Sequence, residues 1–167
     1  MCGIVGLFLK DPKLEPKLGA MLTDMLITMT DRGPDSAGIA IYSEGKVGHG
    51  KLTIQSATPD VDFKNLDADL KDAIGKPVLM LVKSTHAVLE VPADQIEAAR
   101  SALAHLRPSI KVMSVGEGIE IYKEVGLPKD VAARFEVAKM HGTHGIGHTR
   151  MATESAVTTM GAHPFST

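Results

Sequence analysis

Cys2 is the only cysteine among 167 residues, and it stands directly behind Met1. Cysteine is small enough for the initiator methionine to be removed, so a mature chain beginning at Cys2 is expected. Thiol and free α-amine would then share one residue. An unperturbed α-amine titrates at about 7.7–8.0 and a free thiol near 8.5. Such a residue can supply a nucleophile and its own general base. The plainer reading is a small buried hydrophobe opening a strand. Two other stretches concentrate useful groups. In Arg32-Gly33-Pro34-Asp35-Ser36-Ala37-Gly38 an arginine stands at the mouth of a turn. There Gly33 frees the backbone, Pro34 fixes φ, and Asp35 and Ser36 can bond nearby amides. In Gly147-His148-Thr149-Arg150-Met151-Ala152-Thr153, followed by His163-Pro164-Phe165, Arg150 closes a glycine-spaced strand. Its planar guanidinium could grip a carboxylate through two parallel hydrogen bonds.

The histidines allow a competing chemistry. His141, His144 and His148 recur at steps of three and four. On a helix they would form one metal-binding face, with His163 as a fourth ligand. The interleaved Gly142, Gly145 and Gly147 weaken any such helix. In a strand, His144 and His148 share a face and His141 points the other way. No metal ligation is therefore expected. Gly116-Glu117-Gly118 lacks the third glycine and helix start of a phosphate loop, so no nucleotide or flavin site is expected on this chain.

The elements that must position these groups alternate in type. Residues 3–9 form an apolar run short enough for a strand buried on both faces. Leu18, Met21, Leu22, Met25, Leu26 and Met29 predict an amphipathic helix over 15–30. Residues 37–42 and 46–54 read as two strands joined by a tight turn at Glu44-Gly45. Residues 58–73 read as a loop or modest helix, and 77–91 as strand. A helix over 92–106 begins at Pro92. Residues 110–115 and 119–122 are short strands, 128–135 a short helix, and 144–150 a last strand. Alternation of this kind predicts mixed α and β structure.

Composition narrows the classes. With 44% hydrophobic residues the chain can bury one core, or one core and a small insert. A net charge of −2 without a basic run argues against nucleic acid or an anionic membrane as main partner. One cysteine allows no intrachain disulfide, which fits a reducing cytoplasm. There is no apolar run of membrane-spanning length and no secretory signal pattern.

Cys-Gly-Ile-Val-Gly at residues 2–6, Arg-Gly-Pro-Asp-Ser-Ala-Gly at 32–38 and Gly-His-Thr-Arg-Met-Ala-Thr at 147–153, in that order, resemble class II glutamine amidotransferases. These are N-terminal-nucleophile hydrolases that release ammonia from glutamine. The segment 75–140, with Gly-Glu-Gly-Ile-Glu-Ile-Tyr at 116–122, more narrowly resembles the amidotransferase subunit of glutamate synthase-like and N-methylglutamate synthase complexes. The resemblance implies an α+β fold, the αββα sandwich of that hydrolase class. Its helix at 15–30 and strands 3–9, 37–43 and 46–54 would belong to the sandwich. A small α+β insert would lie at about 75–140, within an amidotransferase domain over 2–167.

The resemblance also implies roles. Cys2 matches the nucleophile that forms a glutamyl thioester, Arg150 the arginine that binds the substrate α-carboxylate, and Thr153 a hydroxyl lining the pocket. Arg32 matches an arginine buttressing the nucleophile's loop, with Asp35 and His163 in supporting positions. Met151 stands where many relatives carry an aromatic, and Glu154 where the aminosugar branch has a histidine. The family's oxyanion hole uses an Asn-Gly pair, whereas the single asparagine here, Asn65, precedes Leu66. These residues are thus expected to be the N-terminal portion of a longer polypeptide. The implied function is the glutaminase subunit or domain of an ammonia-transferring complex, as part of a hetero-oligomer. Its partner, a synthase subunit, would accept the ammonia and carry any FMN or iron–sulfur cluster, since this chain lacks the cysteines. The alternatives are a catalytically degenerate scaffold that keeps Met1, and a histidine-based metal module.

Overall fold

The computed structural model describes residues 2–152 and 156–166. In chain order the elements are β1 (Gly3–Phe8), α1 (Leu18–Ile27), β2 (Ser36–Tyr42), β3 (His49–Gln55), α2 (Pro59–Asp62), α3 (Leu66–Ile74), β4 (Leu79–Lys83), β5 (His86–Pro92), α4 (Ile96–Leu106), β6 (Lys111–Gly116), β7 (Ile119–Val125), α5 (Pro128–Arg134) and β8 (His144–Arg150). Short 3₁₀ turns precede α1 and α4 and follow α1 and α5. The strands form two four-stranded sheets, ordered β1-β8-β2-β7 and β4-β5-β3-β6. The pairings β1–β8, β2–β8, β3–β5, β3–β6 and β4–β5 are all antiparallel. Among the described residues no helix is long and apolar enough to cross a membrane.

The first compact unit comprises the chain up to Glu44 together with Ile121–Phe165. Its helix α1 arises from Leu18, Leu22 and Leu26, four residues apart and fully buried, a single apolar stripe on a 3.6-residue repeat. That stripe lies on β8 at Gly145 and Gly147. A Cβ at either would come 2.8 Å from a terminal methyl of Leu22 or Leu26, so glycine at both lets the helix approach without moving these side chains. On the same sheet face, Val5, Ala37, Ile39 and Ile41 complete the packing. Phe135, behind α5, is fully buried with its ring 5.3 Å from that of Tyr122.

The second unit comprises Gly45–Glu120, with Ser166. Leu52 and Ile54 of β3 and Ala87, Leu89 and Val91 of β5 meet Leu66 and Leu70 of α3 and Ala99 and Leu103 of α4. Asp62 is buried beneath them, and its carboxylate accepts from the hydroxyls of Ser56, Thr58 and Ser109. The Ser56 bond leads in holding this carboxyl below its ordinary range, with help from Ser109, Thr58 and Arg107 against the opposing effect of burial. A cleft of about 260 Å³ between the β4–β5 strands and the Lys51–Glu120 ion pair is lined by no described residue of the stretches 2–6, 32–38 or 147–153.

Several expectations change. The strand within residues 3–9 is buried on one face only, with Ile4 and Phe8 largely exposed on the other. Residues 46–54 do not form a hairpin with 37–42; β2 pairs with β8, and β3 pairs with β5 and β6. Residues 77–91 are two strands, because Ser84 turns the chain in the left-handed region at φ 55. The separate lobe, expected at about 75–140, instead takes in β3, α2 and α3 from Gly45 onward and ends at Glu120. Residues 121–140 return to the first unit, where α5 packs against β2 and α1.

Candidate active site

The three motifs meet at one end of the first unit's sheet because β8 lies between β1 and β2. Gly3 pairs with Thr149 and Ile4 with His148. Cys2 directly precedes β1 and Arg150 ends β8, so the two stand at the same end of the sheet. On the other side Ser36 pairs with Arg150, and Pro34 bridges to it. Alternation puts Ile4, Phe8, His148 and Arg150 on the face opposite α1. Ile4 and Phe8 on that face are 69% and 68% exposed, and Cys2, just before the strand, is an exposed free thiol. Thr149 faces the other way; it is buried, and its hydroxyl donates to the Met29 carbonyl at 3.1 Å.

The turn at 33–35 is fastened to Arg150 by backbone. An added Cβ on Gly33 would lie 2.5 Å from the Arg150 nitrogen, so this contact requires glycine. The Asp35 amide donates to the Arg150 carbonyl at 3.1 Å. The Asp35 carboxylate accepts from the Ala152 amide at 2.7 Å. Asp35 thus clamps the chain on both sides of Met151. Arg32 lies exposed at the end of the 3₁₀ turn Thr30–Arg32, and the hydrogen bonds tying this region to Arg150 come from Asp35. Thr153 and Glu154 lie outside the described residues.

His163 sits over β2: a Cβ on Gly38 would come 1.9 Å from its carbonyl oxygen. Its ring lies 4.5 Å from that of His148 and meets Phe165 edge-on at 4.6 Å. Burial, chiefly, and then the neighbouring cations lower the pKa of both histidines. His148 feels His163 and Arg150, and His163 feels Arg150 and Lys123. Both rings are therefore held neutral at pH 7. His144 is elsewhere, stacked on Tyr42 at 4.2 Å and about four strand residues, or ~13 Å, from His148. His141 is exposed. Among the described residues no three of His, Cys, Asp and Glu are grouped so as to hold a metal ion.

Several residues near Arg150 escaped sequence reasoning. Lys123 and Glu124 of β7 are both buried. Lys123 donates to the carbonyls of Ala162 at 3.0 Å and Met160 at 3.5 Å, and its ammonium stands 4.2 Å above the Phe165 ring. Glu124 accepts from the Thr159 hydroxyl and pairs with Arg134 at 3.5 Å. Between these anchors, an added Cβ on Gly161 would be 3.0 Å from Nη1 of Arg150. The available signal was a Lys-Glu pair directly after the apolar Ile121-Tyr122, where the strand had been expected to stop.

No protein-family model matches the chain. Over its whole length it is 64% identical to the glutamine amidotransferase-like protein GlxB of Rhizobium meliloti (strain 1021), covering 55% of that protein. Over 99% of its length it is 32% identical to a protein of Methanothermobacter thermautotrophicus, provisionally named a glutamine amidotransferase, covering 56% of it. The chain thus spans about half the length of these two relatives. The names of both support a place among the glutamine amidotransferases and an enzymatic or enzyme-associated role.

Proposed function

We propose that the first unit holds the nucleophile and the carboxylate clamp of a class II glutaminase site. The observation that carries this reading is the register of β8, which gathers Cys2, the Gly33–Ser36 turn and Arg150 at one sheet end. Two relatives with glutamine amidotransferase in their names support it. After methionine removal, the Cys2 amine takes the thiol proton as the sulfur attacks the glutamine side-chain amide. Ammonia leaves with a proton relayed by that amine, and water then splits the thioester to give glutamate and the free thiol. Arg150 holds the α-carboxylate so that the amide is presented to the sulfur.

The oxyanion that forms during attack needs preorganised donors, each worth about a hundred- to a thousandfold in rate. The family's Asn-Gly pair has no counterpart here, since the single asparagine, Asn65, precedes Leu66 at the start of α3. We further propose an αββα arrangement for the fold, and a role in a glutamate synthase-like or N-methylglutamate synthase complex. There a synthase subunit takes up the ammonia, and any FMN or iron–sulfur cluster belongs to that subunit.

Intact-mass measurement after treatment with an electrophilic glutamine analogue tests this. Loss of the initiator methionine with one adduct on Cys2, prevented by glutamine, is the expected result. A retained Met1 with no adduct would instead identify a scaffold that has lost the reaction.

A further inference from the structure

Resting on the glutaminase reading, we propose that Lys123 is a positioning residue for the carboxylate clamp. Its ammonium fixes the Met160–Ala162 backbone that walls the Arg150 guanidinium. Lys123 is 2% exposed, and burial lowers its pKa. An ammonium removed from water is costly unless its donors are satisfied. Here the carbonyls of Ala162 and Met160 accept them, and the Phe165 ring adds a cation–π contact. These two carbonyls flank Gly161, the residue lying against Arg150 Nη1. The same turn is closed internally, since the Gly161 amide donates to both the carbonyl and the hydroxyl of Thr158. On the opposite side of β7, Glu124 holds the hydroxyl of Thr159. Two consecutive strand residues thus grip one short segment from both sides, and its backbone forms one wall of the clamp. Lys123 also adds positive potential beside Arg150 and the neutral histidines, which suits an anionic substrate group.

The test uses the complete protein with its ammonia-accepting partner. Lys123→Met keeps the aliphatic stem and removes the donors; Lys123→Arg keeps charge and donors. Lys123→Met should raise KM for glutamine about five- to twentyfold with kcat within about twofold, and Lys123→Arg should recover most of that loss. On a glutamine analogue lacking the α-carboxylate, which cannot use the clamp, Lys123→Met and wild type should have equal kcat/KM. Iodoacetamide should alkylate Cys2 at the wild-type rate in both variants, which reports an intact fold and nucleophile. Gly161→Ala places a methyl against Nη1 and should raise KM for glutamine in the same selective way, should Lys123→Met prove insoluble. An unchanged KM, or an equal loss on both substrates, would overturn the role of Lys123. A wild-type protein that consumes no glutamine would overturn the glutaminase reading itself, whatever the variants do.

Discussion

Asp35 and Arg150 hold each other by backbone: the Asp35 amide donates to the Arg150 carbonyl at 3.1 Å, 115 residues away in sequence. The Asp35 carboxylate then accepts from the Ala152 amide at 2.7 Å. The segment that carries the guanidinium is thereby fixed where β8 ends.

Asp35→Ala should therefore act on the clamp as well as on stability. It leaves the Ala152 amide without its acceptor, a loss of about 1–3 kcal/mol. Urea unfolding should register that loss, and KM for glutamine should rise with it. Asp35→Asn keeps an acceptor oxygen and should fall between the two. If Asp35→Ala matched wild type in both measurements, this pin would be dispensable.

Cys2 and Arg150 should fail in different ways. Cys2→Ser leaves a poor nucleophile, so kcat should collapse while glutamine still binds. Arg150→Lys keeps the charge but loses the two-pronged geometry, so KM should rise about ten- to a hundredfold, roughly 1.4–2.8 kcal/mol. Steady-state kinetics with glutamine, alongside calorimetric binding to the serine variant, separate the two. Ordinary turnover by Cys2→Ser would remove the nucleophile assignment.

Gly33→Ala should disturb the same end of the sheet through packing alone. The new methyl would meet the Arg150 nitrogen at 2.5 Å and the Thr149 carbonyl carbon at 2.5 Å. Backbone cannot swing away as a flexible side chain can, so a loss of about 1–3 kcal/mol is expected. A thermal midpoint equal to that of wild type would show that the turn and β8 can separate without cost.

Acid should destabilise the first unit through His148 and His163. Burial leads in lowering both pKa values, and Arg150 contributes to each. The unfolded chain titrates near 6.5. Between the depressed folded values and about 6.5 it binds more protons than the folded protein, so stability rises with pH across that window. The penalty is complete below the folded values and absent above about 6.5. Urea unfolding at pH 5.5 and 7.5 should show this slope, and the pair His148→Gln with His163→Gln should flatten it. An unchanged slope in that double variant would assign the acid sensitivity to other groups.

Much of the secondary structure was legible because its signals are local. The four-residue leucine step made α1, Pro128 opened α5, and the glycine-spaced run to Arg150 became β8. Boundaries were less legible. Strand β7 runs past Tyr122 to Val125, since Lys123 and Glu124 find buried partners that no apolar pattern announces. The turn at Ser84 carried only a weak signal: the polar run at 83–86 interrupts two apolar stretches, but it holds no glycine, asparagine or proline, and serine is not a usual left-handed residue.

For the candidate site, the sequence by itself determined which groups were available: one thiol, at Cys2, and an arginine in each of two glycine-bearing motifs. Only the tertiary structure decided which of them meet. Alternating apolar residues specify that a stretch is a strand, but they do not name its partner. Strand β2 passes over its sequence neighbour β3 and pairs with β8, more than 100 residues later, because α1 and β1 need β8 beside them to bury Leu22, Leu26 and Val5. That choice of partner brings Arg150 to the sheet end at which Cys2 stands, while Arg32 is exposed. It also places Lys123 behind Gly161, a relationship carried by backbone carbonyls, which a sequence of side chains does not display.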